Sequence, residues 1–424
     1  MDNVTHSLAG MLVAEAACQW RGESRRRVRA MAYLVSALAN NLPDIDIAYS
    51  WAMGPQPLGN LLHHRGHTHT LLLALPGAWL LANVFWRWLR RREAGLGVRQ
   101  KQLIFGVSLL GVVMHLLMDF GNNYGVHPFW PFSARWFYGD SIFIIEPAWW
   151  AIAIPVLAAW LERRWLKVVL WSILAAVLLV CWFVPFVLPA SRFALLALTA
   201  LSFAVVRAGS QRQRLAYALG GCLAVAALFA TSSALARAEL RQATIAAFPA
   251  LDVHDVALTP MPGNPACWEG LVAGEQGGEY RVIRASVALA PLRVDGCAAG
   301  DDVVPSAPVE RLSRATHGGV RFRSQYRAKL SELRQLAADD CQFRALLRFT
   351  RLPYVTLPGS SPRYAGDLRY DRAPDQDFSD VVLTPPTRTE NCPRLVPGWT
   401  PPRAELFKPK VAGLRLTAWA GIGF

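Results

Sequence analysis

Histidine and aspartate side chains are concentrated in the first third of this 424-residue chain. Four of its nine histidines fall in one short run, His63-His64-Arg65-Gly66-His67-Thr68-His69. Asp44 and Asp46 precede this run, and His115 and Asp119 follow it. Imidazole and carboxylate groups are ligands of zinc, and manganese or iron accepts a similar set. The concentration therefore predicts a metal site, with zinc as the first candidate.

The spacing of several of these residues fits one face of a helix. His115 and Asp119 are four residues apart, so a helix would place both side chains on one face, one turn apart. His63 and His67 have the same spacing. The candidate metal ligands are His6, Asp44, His63, His67, His69, His115 and Asp119. A carboxylate outside the ligand set, Asp46 or Glu146, is expected to act as a base or to orient the substrate.

A site of this kind would suit hydrolysis. A catalytic zinc keeps one position for water and lowers its pKa toward neutrality, and two metals can hold both oxygens of a phosphate ester. Each motif alone also has a plainer interpretation. The run Pro43–Asp46 could be a turn, and His115 with Asp119 could form a structural hydrogen bond. Arg65 could support the site, bind phosphate or face lipid headgroups.

The composition predicts that these motifs lie in a membrane protein. Hydrophobic residues make up 53% of the chain and charged residues 17%, which is too apolar for a soluble enzyme of this length. The apolar blocks are about as long as a membrane is thick. They predict spans near 30–48, 70–88, 102–120, 142–161, 166–188, 192–207 and 215–236. A weaker segment, 5–20, could be re-entrant or interfacial.

The net charge of +14 does not indicate a nucleic-acid partner, because of where the basic residues lie. Much of the excess falls in short runs between the predicted spans, and those runs are 21–29, 87–101, 163–167 and 207–214. Lys and Arg in such loops stay in the cytoplasm. This orientation places the His and Asp clusters, and everything after about residue 240, on the outer side of the membrane.

The chain after residue 240 has a different composition. Long apolar runs stop, and short alternating segments with Pro and Gly replace them. Cys267, Cys297, Cys341 and Cys392 suggest two disulfides in an exported domain, with three pairings open; unpaired thiols in a cytosolic tail are the alternative. The expected fold is mainly α, a helical bundle with about seven or eight membrane spans and a C-terminal extracytoplasmic α+β domain. The expected domains are 1–160, which holds the metal site, 161–240 with further spans, and 241–424 outside.

Taken together, the motifs resemble the YdjM-type inner-membrane metal-dependent hydrolases, also called LexA-binding membrane hydrolases. The resemblance rests on residues 1–10, Asn41-Leu42-Pro43-Asp44-Ile45-Asp46, the run 63–69, His115-Leu116-Leu117-Met118-Asp119 and the stretch 128–149. It covers about residues 1–160. More distantly, the arrangement is similar to zinc-dependent phospholipase C and single-strand-specific zinc nucleases. That similarity implies a phosphoesterase with His115, Asp119, Asp44 and one of His63, His67 or His69 as ligands.

The resulting prediction is a metal-dependent hydrolase of the bacterial inner membrane. Its expected partners are membrane lipids, and its expected substrate is a phosphoester such as a lipid headgroup at the outer face. A non-catalytic metal-binding envelope protein, whose outer domain binds an unknown protein partner, is the alternative. A metal or proton transporter fits less well, because transporters need ionisable groups near the bilayer midplane and these cluster at one face.

Overall fold

The structure is a computed structural model that describes residues 1–297, 309–312, 317–370, 378–383 and 392–407. Part of the predicted outer domain, including 408–424, lies outside the described residues. The chain before the first strand is helical. Its helices are α1 (Asn3–Trp20), α2 (Arg26–Ala39), α3 (Ile47–Ser50), α4 (Leu58–His63), α5 (Leu71–Arg92), α6 (Val98–Phe120), α7 (Pro147–Trp160), α8 (Arg164–Phe183), α9 (Pro189–Ala208) and α10 (Gln211–Ala247).

Among the described residues, five helices are long and apolar enough to cross a membrane, namely α5, α6, α8, α9 and α10. They point large apolar side chains outward: Leu80, Val84 and Leu223 are each more than half exposed. Lipid accepts such a surface, whereas a soluble protein rarely exposes it. The predicted helical membrane protein with a C-terminal α+β domain is confirmed at this level. The count of seven or eight spans and the orientation stay predictions.

Two predicted spans differ from the helices found. The predicted span 30–48 is interrupted, because α2 ends at Ala39 and a 3-10 turn begins at Pro43. Proline lacks a backbone N–H and its ring clashes with the preceding helical turn, so α2 cannot continue through it. The predicted span 142–161 becomes helical only at Pro147, which leaves α7 shorter than the five long helices.

Helices α1, α2 and α6 pack closely at two glycines. A Cβ atom on Gly10 would lie 2.7 Å from the backbone oxygen of Ser36, and one on Gly111 would lie 2.9 Å from the Cβ of Ala39. Small residues allow helix backbones to approach in this way. The contact brings together the first turn of α1, which carries His6, the end of α2, which precedes Asp44, and the last turns of α6, which carry His115 and Asp119.

The C-terminal α+β domain, called the outer domain after its predicted location, begins after α10 and contains two antiparallel sheets. Its strands are β1 (Asp252–Met261), β2 (Asn264–Gln276), β3 (Glu279–Ala288), β4 (Val309–Arg311), β5 (Val320–Lys329), β6 (Pro353–Val355), β7 (Arg363–Asp367) and β8 (Val381–Leu383), and its helices are α11 (Leu330–Asp339), α12 (Cys341–Leu346) and α13 (Ala404–Phe407). The sheet orders are β1-β2-β3-β5-β4 and β6-β7-β8. Gly277 and Gly278, with φ of 60° and 81°, form the tight turn between β2 and β3.

Two disulfides fasten this domain. Cys267 bonds to Cys297, and Cys341 bonds to Cys392. The prediction of two disulfides is confirmed, and the structure selects one of the three possible pairings. The second bond fixes the start of a segment, residues 392–400, that runs back toward the membrane helices. We call it the C-terminal segment.

A buried ion-pair network joins the outer domain to the loop between α6 and α7. Arg351 donates to Asp140 at 2.8 Å and to Asp255 at 2.7 Å. Arg237 of α10 donates to the other oxygen of Asp140 at 2.7 Å. Buried charges that lose their partners are strongly destabilising, so this network holds the domain firmly against the loop.

Candidate metal centre

Four parts of the chain meet where α1, α2 and α6 converge. They are the first turn of α1, the turn formed by residues 40–46, the histidine segment 63–69 and the last two turns of α6. The histidine segment is not one regular helix. α4 ends at His63, Arg65 has a left-handed φ of 54°, and a separate 3-10 turn covers His67–His69. These breaks decide which histidines point inward.

Four side chains direct one ligand atom each into a common space. They are Asp44, His69, His115 and Asp119, whose ligand atoms all lie within 4.8 Å of one another and whose side chains are at most 7% exposed. The Nε2 atoms of His69 and His115 are 3.0 Å apart. From Asp44 Oδ1, these two nitrogens lie at 3.3 and 3.7 Å, and from Asp119 Oδ2 at 3.4 and 3.3 Å.

These separations match those around a tetrahedral zinc ion. Ligands about 2.0 to 2.1 Å from such an ion lie roughly 3.3 Å from one another. Five of the six separations range from 3.0 to 3.7 Å, and the sixth, between the ligand atoms of Asp44 and Asp119, is within 4.8 Å. Oδ2 of Asp119 is buried with no hydrogen-bond partner among the described residues. Buried polar atoms normally have a partner, and a bound cation would supply one here. The four residues therefore fit a divalent ion with zinc-type ligands.

The two imidazole rings are held so that Nε2 faces the centre. Nδ1 of His115 lies 2.7 Å from the backbone oxygen of Asn40, and Nδ1 of His69 lies 3.1 Å from Oδ2 of Asp46. Each oxygen accepts a hydrogen bond from Nδ1–H, and this tautomer leaves the Nε2 lone pair free. Metal-binding histidines are oriented by hydrogen bonds of this kind to carboxylates or backbone carbonyls.

The electrostatics of the centre also favour a cation. Burial raises the pKa of Asp44, but His69 and His115 outweigh it and hold that pKa at about 2. Burial lowers the pKa of His69, but the neighbouring carboxylates of Asp119, Asp44 and Asp46 outweigh it and raise that pKa to about 10. The carboxylates thus remain ionised and draw positive charge, as a proton on His69 or as a metal ion in its place.

Asp44 belongs to a second group of possible ligands, together with Asp46 and His64. Nδ1 of His64 lies 2.9 Å from Oδ1 of Asp46. The His64 side chain is 18% exposed, so this group reaches toward solvent while the first group is sealed. Asp46 also accepts from the Thr68 hydroxyl at 2.8 Å, which leaves its carboxylate firmly oriented.

Arg65 supports Asp119 from behind. Its guanidinium is 3% exposed and donates to Asp119 Oδ1 at 2.9 Å and to Asn122 Oδ1 at 3.0 Å. It also lies over the ring of Tyr124, 4.7 Å from its centroid. These contacts turn Arg65 inward, so of its three possible roles the structure favours support of the site. The α-amino group of Met1 contacts the same Asp119 oxygen.

His6 lies directly beside the four-residue group without joining it. Its ring stacks on that of His115, with centroids 4.0 Å apart, and its Nε2 is 3.3 Å from Asp119 Oδ1. The ring is buried, and neither nitrogen has a geometrically sound hydrogen bond to any described residue. His6 therefore faces the Asp119 oxygen that the first group does not use.

His63 and His67, both predicted ligands, lie outside both groups. Nε2 of His63 is 3.3 Å from the backbone oxygen of Leu395, and the ring of His67 packs between Trp130 and Trp399. Both contacts involve the C-terminal segment, which covers the histidine segment. Their four-residue spacing does not place them on one face, because the backbone between them is not helical.

The two carboxylates expected to assist catalysis occupy different environments. Asp46 contacts both His69 and His64 and belongs to the second group of possible ligands, so it lies at the candidate centre. Glu146 caps α7 by accepting from the backbone N–H of Ala148 at 3.0 Å, and it accepts from Gly263 at 3.2 Å. Glu146 thus ties α7 to the β1–β2 hairpin and lies outside both ligand groups.

Sequence reasoning missed three contributors to the centre. His64 was present in the histidine run, but no helical spacing distinguished it. Asn40 acts through its backbone oxygen, which any residue type supplies. Trp399 donates its indole N–H to the backbone oxygen of Leu62 at 2.9 Å. The two residues are more than 300 positions apart in the sequence, so only the fold reveals this contact.

The fold and this cluster define a multi-helix membrane protein with a buried His/Asp group that could hold a metal ion. Residues 1–187 match the model of the YdjM inner membrane protein family, which confirms the predicted resemblance for this part of the chain. No curated protein and no solved structure gives a significant match. The more distant similarity to zinc phospholipases and nucleases stays a prediction.

Proposed function

We propose that the protein is a membrane-bound, zinc-type metal-dependent hydrolase whose substrate is a phosphoester such as a lipid headgroup. The observation that carries this proposal is the sharing of Asp44 between two ligand groups. A carboxylate common to two adjacent groups suits a pair of metal ions, and paired ions are a recurrent device in phosphoester hydrolysis.

The two groups differ in a way that suits catalysis. The first supplies four buried protein ligands, which is a closed coordination set. The second supplies three, and its His64 is partly exposed, so water or substrate would complete its coordination. Divalent cations bound there would supply Lewis acidity toward water and a phosphoryl oxygen. Asp46 would keep His64 and His69 in place, and Arg65 would keep Asp119 ionised and oriented.

The surroundings support an amphiphilic substrate. An apolar hollow of about 300 Å³ lies between the start of α5 and the end of α6. Some of the side chains that line it are next to the ligands in the sequence. Leu116 and Phe120, which line it, are the chain neighbours of His115 and Asp119. Phe129 and Leu117 extend this surface outward and are 49% and 61% exposed. A lipid with its headgroup near the centre would have apolar surface beside it for an acyl chain.

We further propose that the site faces the periplasm. Basic residues cluster at the opposite ends of α5 and α6, in the loop between them, where the positive-inside rule expects the cytoplasm. The candidate centre and the outer domain would then face the periplasm of a bacterial inner membrane. An exported outer domain also agrees with its two disulfides.

The test is metal content and hydrolysis by detergent-purified protein. We expect stoichiometric zinc in the wild type, loss of metal in His115→Ala, and metal-dependent turnover of phospholipids or generic phosphodiesters. His64→Ala should retain the metal of the closed group but lose turnover. His317→Ala, an exposed histidine of the outer domain, is the matched control. A wild type that binds metal but hydrolyses none of these esters would refute the enzyme proposal.

One observation favours a second candidate, a non-catalytic metal-binding envelope protein. The closed group is already saturated by four buried protein ligands, as in structural zinc sites. In that case the metal would stabilise the bundle, and the outer domain would act by binding a protein partner. Metal removal would then lower the unfolding temperature, and His64→Ala would change neither metal content nor stability.

A further inference from the structure

A polar cleft lies between the outer end of α10 and strand β1, apart from the candidate metal centre. Its volume is about 460 Å³. One wall is formed by α10, with Ala230, Ala234, Arg237 and Arg241, and the other by β1, with His254 and Asp255. None of these residues belongs to either group of possible metal ligands.

The charges around the cleft leave one cation in excess. Arg237 is engaged by Asp140 and by the backbone oxygen of Val256. Asp255 is neutralised by Arg351 at 2.7 Å. Arg241, one turn beyond Arg237 on the same face of α10, is exposed and forms no ion pair with any described residue. Its guanidinium is therefore available to an anion that enters the cleft.

The position of the cleft along α10 indicates what that anion is attached to. α10 has 37 residues, and at 1.5 Å per residue it is about 55 Å long, well beyond the roughly 30 Å hydrocarbon core of a membrane. Its apolar part precedes Arg237, so Arg237 and Arg241 come at the level where lipid phosphates lie. Below them, Ala230 and Ala234 form an exposed strip of small side chains that continues toward the membrane.

We propose that this cleft binds the phosphate of an anionic phospholipid, with Arg241 as the principal cation and an acyl chain along the Ala230–Ala234 strip. His254, from β1, faces the same space and adds a second polar group. A lipid held here would bridge α10 and β1 and so fasten the outer domain to the membrane surface. The proposal uses no metal ligand and does not depend on the hydrolase assignment.

The test compares lipid binding by wild type, Arg241→Gln, Ala234→Leu and Arg135→Gln, each full-length and purified in detergent. Arg135 is an exposed arginine in the α6–α7 loop outside the cleft, so it controls for general surface charge. The probes are phosphatidylglycerol, phosphatidylcholine and inorganic phosphate, with native mass spectrometry and thermal stabilisation as readouts. Leucine is a good helix former and position 234 is exposed, so Ala234→Leu should fold.

We expect phosphatidylglycerol to bind wild type and Arg135→Gln equally well, and Arg241→Gln roughly fivefold more weakly, since one basic residue near the surface contributes about that factor. Ala234→Leu should weaken lipid binding but leave the response to inorganic phosphate unchanged. Equal affinity in Arg241→Gln and Arg135→Gln would overturn the proposal. If inorganic phosphate stabilises the wild type as much as the lipid does, the ligand is free phosphate and the lipid assignment is overturned.

Discussion

Nδ1 of His69 lies 3.1 Å from Oδ2 of Asp46, and this contact directs the opposite ring nitrogen into the candidate metal centre. The same carboxylate holds Nδ1 of His64 at 2.9 Å through its other oxygen. One aspartate therefore orients His69 of the first ligand group and His64 of the second group. A change at Asp46 should affect both positions at once.

The substitution Asp46→Asn should weaken metal binding without removing a ligand of the closed group. An amide can present its NH2 group to Nδ1 and so favour the wrong tautomer of His69, and loss of such supporting groups typically costs about 10- to 100-fold in metal affinity. Competition with a chromogenic chelator measures the change. Asp252→Asn, at an aspartate that is 82% exposed, should retain the wild-type affinity. Equal affinities in the two variants would show that Asp46 does not orient His69.

Arg65→Gln should destabilise the protein. The change leaves the buried Asp119 carboxylate without its guanidinium partner, and breaking such a pair costs about 3 to 5 kcal/mol. Lysine should not rescue the loss fully, because it lacks the fork that reaches both Asp119 and Asn122. Thermal unfolding in detergent gives the measurement, with Arg135→Gln as the control. An unfolding temperature equal to that of the control would contradict the assigned role.

The protein should lose stability on mild acidification through His127. Burial, with His69 and His67 nearby, lowers the pKa of His127 to about 3. The folded protein then keeps the ring neutral while the unfolded chain takes up a proton near pH 6.5, so stability falls as the pH drops from about 6.5 toward 3. At pH 5 the loss from this residue is about 2 kcal/mol.

His127→Leu should remove this part of the pH dependence. The comparison is the difference in unfolding free energy between pH 7.5 and pH 5, in wild type and variant. We expect a smaller difference in the variant, even where its stability at pH 7.5 is reduced. The same difference in both proteins would mean that His127 does not titrate on unfolding.

The orientation proposed from the basic loops can be tested with topology reporters. A reporter that is active only in the periplasm should be inactive when joined after Gly95, in the basic loop between α5 and α6, and active when joined after Ala250, beyond α10. The reason is that Arg and Lys residues next to spans remain in the cytoplasm. A second fusion after Gly209 serves as a further cytoplasmic position. Activity after Gly95 would invert the topology and move the candidate centre to the cytoplasmic face.

How far the sequence predicts the centre depends on local regularity. His115 and Asp119 lie on an unbroken helix, so their spacing alone predicts that they share a face. In the histidine segment the backbone changes conformation at Arg65 and again at Gly66, and spacing cannot separate His69, which points inward, from His63 and His67, which do not. The length of the apolar block near 30–48 likewise suggested one span, but Pro43 ends the helical conformation there.

Contacts between distant parts of the chain were beyond prediction. Arg351 with Asp140, and Trp399 with Leu62, join residues more than 200 positions apart. No local sequence pattern identifies Arg351 or Trp399 as a contact residue, because an arginine or a tryptophan in a loop fits many environments. Disulfide formation was predictable from four cysteines in one region, but the pairing needed the fold.

The C-terminal segment has a consequence for the order in which the protein is made. All residues of both ligand groups precede position 120, whereas the segment that covers the histidines, 392–400, emerges from the ribosome much later. The newly made helices can therefore assemble their His and Asp side chains while that side of the centre is still open. In the proposed metalloprotein, an ion would enter during synthesis, before a bond between Cys341 and Cys392 fastens the C-terminal segment. Under the proposed periplasmic location, the timing of export and disulfide formation would then influence how much of the protein acquires metal.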